Sequence, residues 1–229
     1  MVATLQMIKD TNSSVDATID HIANDRSIPS WENFADRYKA DVVSAVESIE
    51  IGEVSAAIKL FQKARASSRS IFVCGETASA AVAATVVCDM MTRSSVNQST
   101  RCRSMTLHNG MMGLPGDDED GAGWGSLFVT QLRNFAEAGD IVVGISAGSK
   151  PFRILRALEY GRTLGCKTVA LTGLHGGRLE GLAEIVIHVG STHVITVEDT
   201  HLIICHMIGS YFLEFDGLRL EAPPQLSGS

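Results

Sequence analysis

The sequence predicts an α/β protein with a parallel sheet covered by helices on both faces. Two observations carry that reading. Short apolar runs alternate with longer segments of helical periodicity along the chain from Ser70 onward. Most of those runs are continuously apolar rather than alternating, as strands buried on both faces are.

The elements follow in order. Residues 1–29 are polar with sparse apolar positions, and "VDATIDHIAN" suits a short helix or an arm. From Trp31 the pattern is helical: Trp31, Phe34, Tyr38, Val42, Val46 and Ile49 recur at spacings of three and four. Ser30 suits the N-cap and Pro29 stops what precedes it. A second helix places Val54, Ile58, Phe61 and Ala64 on one face. "SIFVCG" then reads as a buried strand, and "ASAAVAATVVCDMM" as a helix of small residues. "RSMTL" is a strand, and the Gly-rich, acidic "HNGMMGLPGDDEDGAGWG" is a loop. "SLFVTQLRNFAEAG" is helical. "DIVVGIS", "CKTVALTG" and "EIVIHVG" are strands, separated by the helix "PFRILRALEYGRTLG" and the short turn "GRLEGLA". A last helix spans about Thr196 to Phe215, and residues 216–229 form a loose tail. The domain organisation expected is an arm over 1–29, one domain over 30–215 and that tail.

The totals agree with a globular chain. At 229 residues and 45% hydrophobic content, the core needs neither disulfides nor a structural metal. A net charge of −7 argues against nucleic acid as a main partner and for a soluble cytoplasmic protein. The five cysteines are odd in number and form no C-x-x-C pair, and three lie in apolar runs. Buried free thiols in a reducing compartment are expected. No apolar run reaches the ~20 residues of a membrane span, and "MVATLQMIKDTNSS" lacks the layout of a secretory signal.

In such sheets ligands bind beyond the carboxyl ends of the strands. That directs attention to the residues after Cys74, Ile145 and Leu171. "GETAS" and "SAGSKP" each join a strand to a helix, and small residues there let backbone N–H groups approach an anion. Pro151 suits a first helical turn with Ser149 or Lys150 at the cap, and Ser146, Ser149 and Lys150 offer donors to a phosphate. Tight turns collect small residues for steric reasons alone, so these loops do not by themselves establish a site. The final helix opens "TVEDTHLIICH", with two acids and two histidines on an otherwise apolar stretch. Eight residues rotate a helix by about 80° net, so Glu198 and His206 share one broad face two turns apart. A first-turn acid favoured by the helix dipole and a core histidine are the purely structural alternative.

Together, "IFVCGETASAA", "GDIVVGISAGSKPFRILRALEYGRTLGCKTVALTG" and "VEDTHLIICHMIG" resemble the SIS (sugar isomerase) domain, most closely its phosphoheptose isomerase branch, from about Trp31 to Glu214. The resemblance implies a three-layer α/β/α sandwich on a five-stranded parallel sheet with added N-terminal helices. It implies a homotetramer with sites between subunits, a sugar phosphate substrate, zinc or another divalent metal, and no organic cofactor. It also implies which residues form the site. The substrate-binding set is Gly75, Glu76, Thr77, Ser79, Asn109, Ser146, Gly148, Ser149 and Lys150. Asp89 is the expected base and His206 the expected acid for proton transfer through an enediol. Asp89, Glu198 and His206 are the expected metal ligands, with Thr85 at the fourth position.

The chain departs from the family pattern at several of these positions. The first loop usually reads Gly-Asn-Gly-Gly-Ser but here is Gly75-Glu76-Thr77-Ala78-Ser79. Asp89 stands where a Glu is usual, Glu198 where a Gln is, and Thr85 where a His is. Glu76 would repel a phosphate unless it turns away or pairs with a cation such as Lys150 or Arg153. Two functions are therefore expected candidates: a phosphosugar isomerase, and a non-catalytic SIS protein that binds a phosphosugar or assists an assembly.

Overall fold

The computed structural model describes residues 30–92, 101–107, 127–148, 151–174 and 176–215. The chain divides into two compact units between Asp41 and Val42. Helix α1 (Trp31–Glu47) opens as expected, with the Ser30 hydroxyl accepting a hydrogen bond from the Asn33 N–H at 3.2 Å. Its apolar pattern is only partly buried. Ala45 is sealed, whereas Trp31 and Phe34 stay exposed.

Helix α2 (Ile51–Ala66) buries Val54, Phe61 and Ala64, three of the four positions read from periodicity. The sheet then forms from β1 (Ser70–Gly75), β2 (Arg103–Thr106), β3 (Ile141–Ser146), β4 (Lys167–Thr172) and β5 (Ile185–His188). All pairings are parallel, in the order β2-β1-β3-β4-β5. Crossovers are α3 (Ala78–Thr92), α4 (Leu127–Phe135), α5 (Phe152–Leu164) and a 3-10 turn at Gly177–Leu179. Helix α6 (Val194–Phe215) closes the fold.

Successive side chains of a strand face opposite sides, and here each side has its own core. Ile71, Val73, Val143, Ile145, Val169 and Leu171 pack under α2, α3 and α6. Phe72, Cys74, Val142 and Ala170 pack under α4 and α5. Each fully buried Phe, Ile or Leu in these layers contributes about 1.5–3 kcal/mol of transfer free energy. The result is the expected three-layer α/β/α sandwich.

Two boundaries differ from the sequence reading. Helix α4 stops at Phe135 rather than running to Gly139. The buried Asp140 carboxylate accepts the Glu137 N–H through Oδ2 at 2.8 Å, which competes with a further helical turn. Its Oδ1 accepts the Ser70 N–H at 2.8 Å, so one side chain fixes the starts of β1 and β3. Helix α6 starts two residues early. His193 Nδ1 lies 2.9 Å from Thr196 Oγ1 and accepts weakly from the Thr196 N–H at 3.4 Å, serving as a cap that helix-start rules centred on Ser, Thr, Asp and Asn do not anticipate.

Candidate active site

Strands β1 and β3 are neighbours whose outgoing connections run to opposite sides of the sheet. A crevice opens at their carboxyl ends, where open α/β sheets place ligands. Gly75 ends β1 and cannot carry a side chain, because a Cβ there would collide with the Ser79 carbonyl group. The first turn of α3 therefore sits directly against the strand end. Thr77 is held at φ +53°, a left-handed conformation that is costly for a β-branched residue.

A cavity of about 170 Å³ occupies the crevice. Glu76, Thr77 and Ser79 line it from the β1 loop, Ser146 and Gly148 from the β3 loop, and Val194 and Glu198 from α6. Gly75 lies buried beneath the first loop. Asn109, Ser149 and Lys150 lie outside the described residues. Ser146 folds onto its own loop, with its hydroxyl 3.1 Å from the Gly148 carbonyl and 3.3 Å from the Gly148 N–H. The helix α3 and α5 N-termini add positive dipole ends. Burial, and after it the neighbouring Asp199 carboxylate, push the Glu198 carboxyl above its usual range.

Glu76 has the counter-ion its position demands. Arg153 Nη1 donates to Glu76 Oε1 at 2.8 Å, and both side chains are less than a third exposed. Arg153, one of the two cations the sequence offered, pairs with it; Lys150 lies outside the described residues.

A second pair forms farther along α3 and α6. Asp89 is buried on α3, and its Oδ2 lies 3.7 Å from Nε2 of His206, a half-exposed residue on α6. The helices come close here because α6 presents Gly209: a Cβ on it would stand 3.4 Å from Asp89 Cβ and 3.5 Å from Oδ2. A carboxylate beside an imidazole is the pairing that general acid–base chemistry uses.

A model of the SIS domain matches residues 35–173, more than half of the chain. The chain belongs to the SIS domain family. Among curated relatives, a phosphoheptose isomerase of Geobacter sp. (strain M21) is 30% identical over 75% of this chain and 88% of its own length. One from a Nitratiruptor species is 29% identical over 62% of this chain and 75% of its own. In solved structures the fold is similar to that of a phosphoheptose isomerase from Neisseria gonorrhoeae, with a TM-score of 0.69, 20% identity, and coverage of 79% of this chain and 97% of that one. A phosphoheptose isomerase from Francisella tularensis gives a TM-score of 0.70 at 19% identity, covering 81% and 98%.

The metal-ligand set expected for this SIS domain is only partly gathered. Asp89 and His206 meet, but Glu198 lines the crevice instead. Eight residues of helix separate Glu198 from His206 by about 12 Å along the axis, so sharing a face does not bring them together. The Thr85 hydroxyl donates to the Ala81 carbonyl at 3.0 Å. Among the described residues no group of three or more His, Cys, Asp or Glu side chains could hold an ion. Two donors do not meet the three protein ligands that a catalytic zinc takes, so no chemical step here is routed through a metal.

His201 is fully buried, a core residue of α6 rather than a site residue. Asp199 beside Glu198 is exposed. Sequence reasoning missed Val194 as a lining residue because it placed the start of α6 two residues late.

Proposed function

We propose that the protein is a phosphosugar aldose–ketose isomerase of phosphoheptose isomerase type, with Asp89 and His206 moving the proton. The observation that carries this is the 3.7 Å approach of Asp89 Oδ2 to His206 Nε2, made by residues far apart in the chain. Asp89 takes the proton from the carbon next to the carbonyl, while His206 protonates the carbonyl oxygen, giving an enediol. Return of the proton to the former carbonyl carbon, with loss of the other hydroxyl proton, completes the exchange of ketose for aldose. His206 is half exposed, so it recovers its proton from solvent.

The crevice seats the phosphate. Ser79, Ser146 and Gly148 line it, at the N-terminal ends of α3 and α5. Glu198 at the crevice and His206 at the reacting end are about 12 Å apart along α6, a span that suits a long-chain sugar phosphate. The relatives named phosphoheptose isomerase support the same reading. The non-catalytic alternative is not favoured, because it gives the Asp89–His206 pair no task.

The finer parts of the reading rest on the family resemblance. They are work in the cytoplasm and assembly as a homotetramer; the divalent ion that the resemblance also implies is not carried into the reading, because only Asp89 and His206 of its ligand set come together. Among the described residues no helix is long and apolar enough to cross a membrane.

The test is NMR of sedoheptulose 7-phosphate in deuterated water with the protein. Aldose formation and exchange of the substrate C–H are expected. Asp89→Asn and His206→Asn are expected to lower kcat by about a hundredfold or more. Full activity in both variants, or no turnover and no exchange in the parent, overturns the reading. A chelator is expected to leave the rate unchanged, and loss of activity restored by zinc would reinstate the metal.

A further inference from the structure

We infer that the Glu76–Arg153 pair is a specificity element that reads sugar hydroxyl groups at the β1 end of the crevice. The inference rests on the isomerase reading and says which part of the substrate this wall recognises.

Glu76 lines the cavity and is held in place by Arg153. Arg153 is the second residue of α5, where a cation meets the unfavourable end of the helix dipole. A guanidinium placed there is accounted for by the carboxylate across the crevice. The contact joins the β1 loop to the helix that follows the β3 loop, so it fixes the two walls relative to each other.

The pairing sets what Glu76 can recognise. A carboxylate is an acceptor with about four lone-pair positions, and Arg153 Nη1 occupies one. A phosphate dianion offers no proton to such a group and is repelled by it. Sugar hydroxyls do offer protons, and Arg153 offsets the charge that would expel an anionic substrate. Glu198, the other carboxyl group of the cavity, adds a second place for a hydroxyl to bond. Phosphate recognition is then left to Ser79 on α3 and to Ser146 and Gly148 on the β3 loop. One cavity thus distinguishes a polyhydroxy phosphate from phosphate alone.

The experiment compares two probes by calorimetry: ribitol 5-phosphate, a polyol phosphate with no carbonyl to react, and inorganic phosphate. Glu76→Ala is expected to weaken ribitol 5-phosphate at least tenfold and to leave inorganic phosphate within threefold, or tighter. Glu76→Gln, which keeps the shape, is expected to fall between Glu76→Ala and the parent. Arg153→Met is expected to weaken both probes, because Glu76 then faces the anion uncompensated. Equal tightening of both probes in Glu76→Ala overturns the inference, leaving Glu76 as a repelling charge only. So does unchanged binding of both probes in Glu76→Ala and Glu76→Gln. Failure of the parent to bind either probe overturns the isomerase reading itself, a different result.

Discussion

Asp140 shows how much a single side chain carries. It is buried, and each of its oxygens accepts a backbone N–H at 2.8 Å, from Ser70 and Glu137. Hydrogen bonds to a charged group are worth more than neutral ones, and the stranded donors lose their partner together. Asp140→Ala is expected to destabilise the fold by about 3 kcal/mol, read from urea unfolding. A loss below about 0.5 kcal/mol would mean that water replaces the carboxylate without cost. The sequence marks Asp140 only as the residue before an apolar strand, because one of its partners lies seventy positions away. Glu76 was more legible, since a carboxylate in an anion-binding loop calls for a cation. That Arg153 reaches it from the helix after the β3 loop is a matter of tertiary geometry.

At the scale of elements, α6 mixes core and site on one helix. Thr196, Thr200 and His201 are buried among apolar neighbours, and Glu198 opens onto the crevice. Burial pushes the His201 imidazole down to about 4, and the Thr172 backbone offsets this in part. The folded value lies below the ordinary one near 6.5. The unfolded chain therefore binds more protons between about pH 4 and 6.5, and stability rises with pH across that window. The full effect is of order 3 kcal/mol, gained by about pH 6.5 and flat above it. Urea midpoints between pH 4.5 and 7 should climb for the parent, with a shallower climb for His201→Phe. Parallel slopes would show that other groups govern the acid limb. The sequence showed that α6 carries ionisable groups, but not that His201 faces inward and Glu198 the crevice. Helical spacing gives relative angles, and only packing against the sheet fixes which angle points where.

At the scale of the molecule, the two-faced sheet decides which thiols react. Cys74, Cys166 and Cys205 are buried, Cys102 is half-buried and Cys88 is exposed. Burial, then Asp140, raises Cys166 to about 11; burial, then Asp89, raises Cys205 to about 12. Thiol labelling at pH 8 is expected to modify Cys88 first and to reach the three buried cysteines only as the chain unfolds. Prompt labelling of Cys205 in the native protein would mean that α6 opens easily. Strand identities, their parallel pairing and the two covering layers could be read from apolar runs and alternation. The crevice between β1 and β3 depends on strand order, which no local pattern contains.

The crevice and the Asp89–His206 pair hang from the same two helices at different heights. On the proposed function, loops at the top determine what is gripped, and side chains lower down determine what happens to it. The residues at the top can therefore be exchanged without disturbing the proposed proton-transfer pair. This chain departs from the family pattern in that way at Glu76 and Thr77, above a carboxylate and an imidazole that still meet. A descendant with a new rim would inherit working chemistry before it had settled on a substrate.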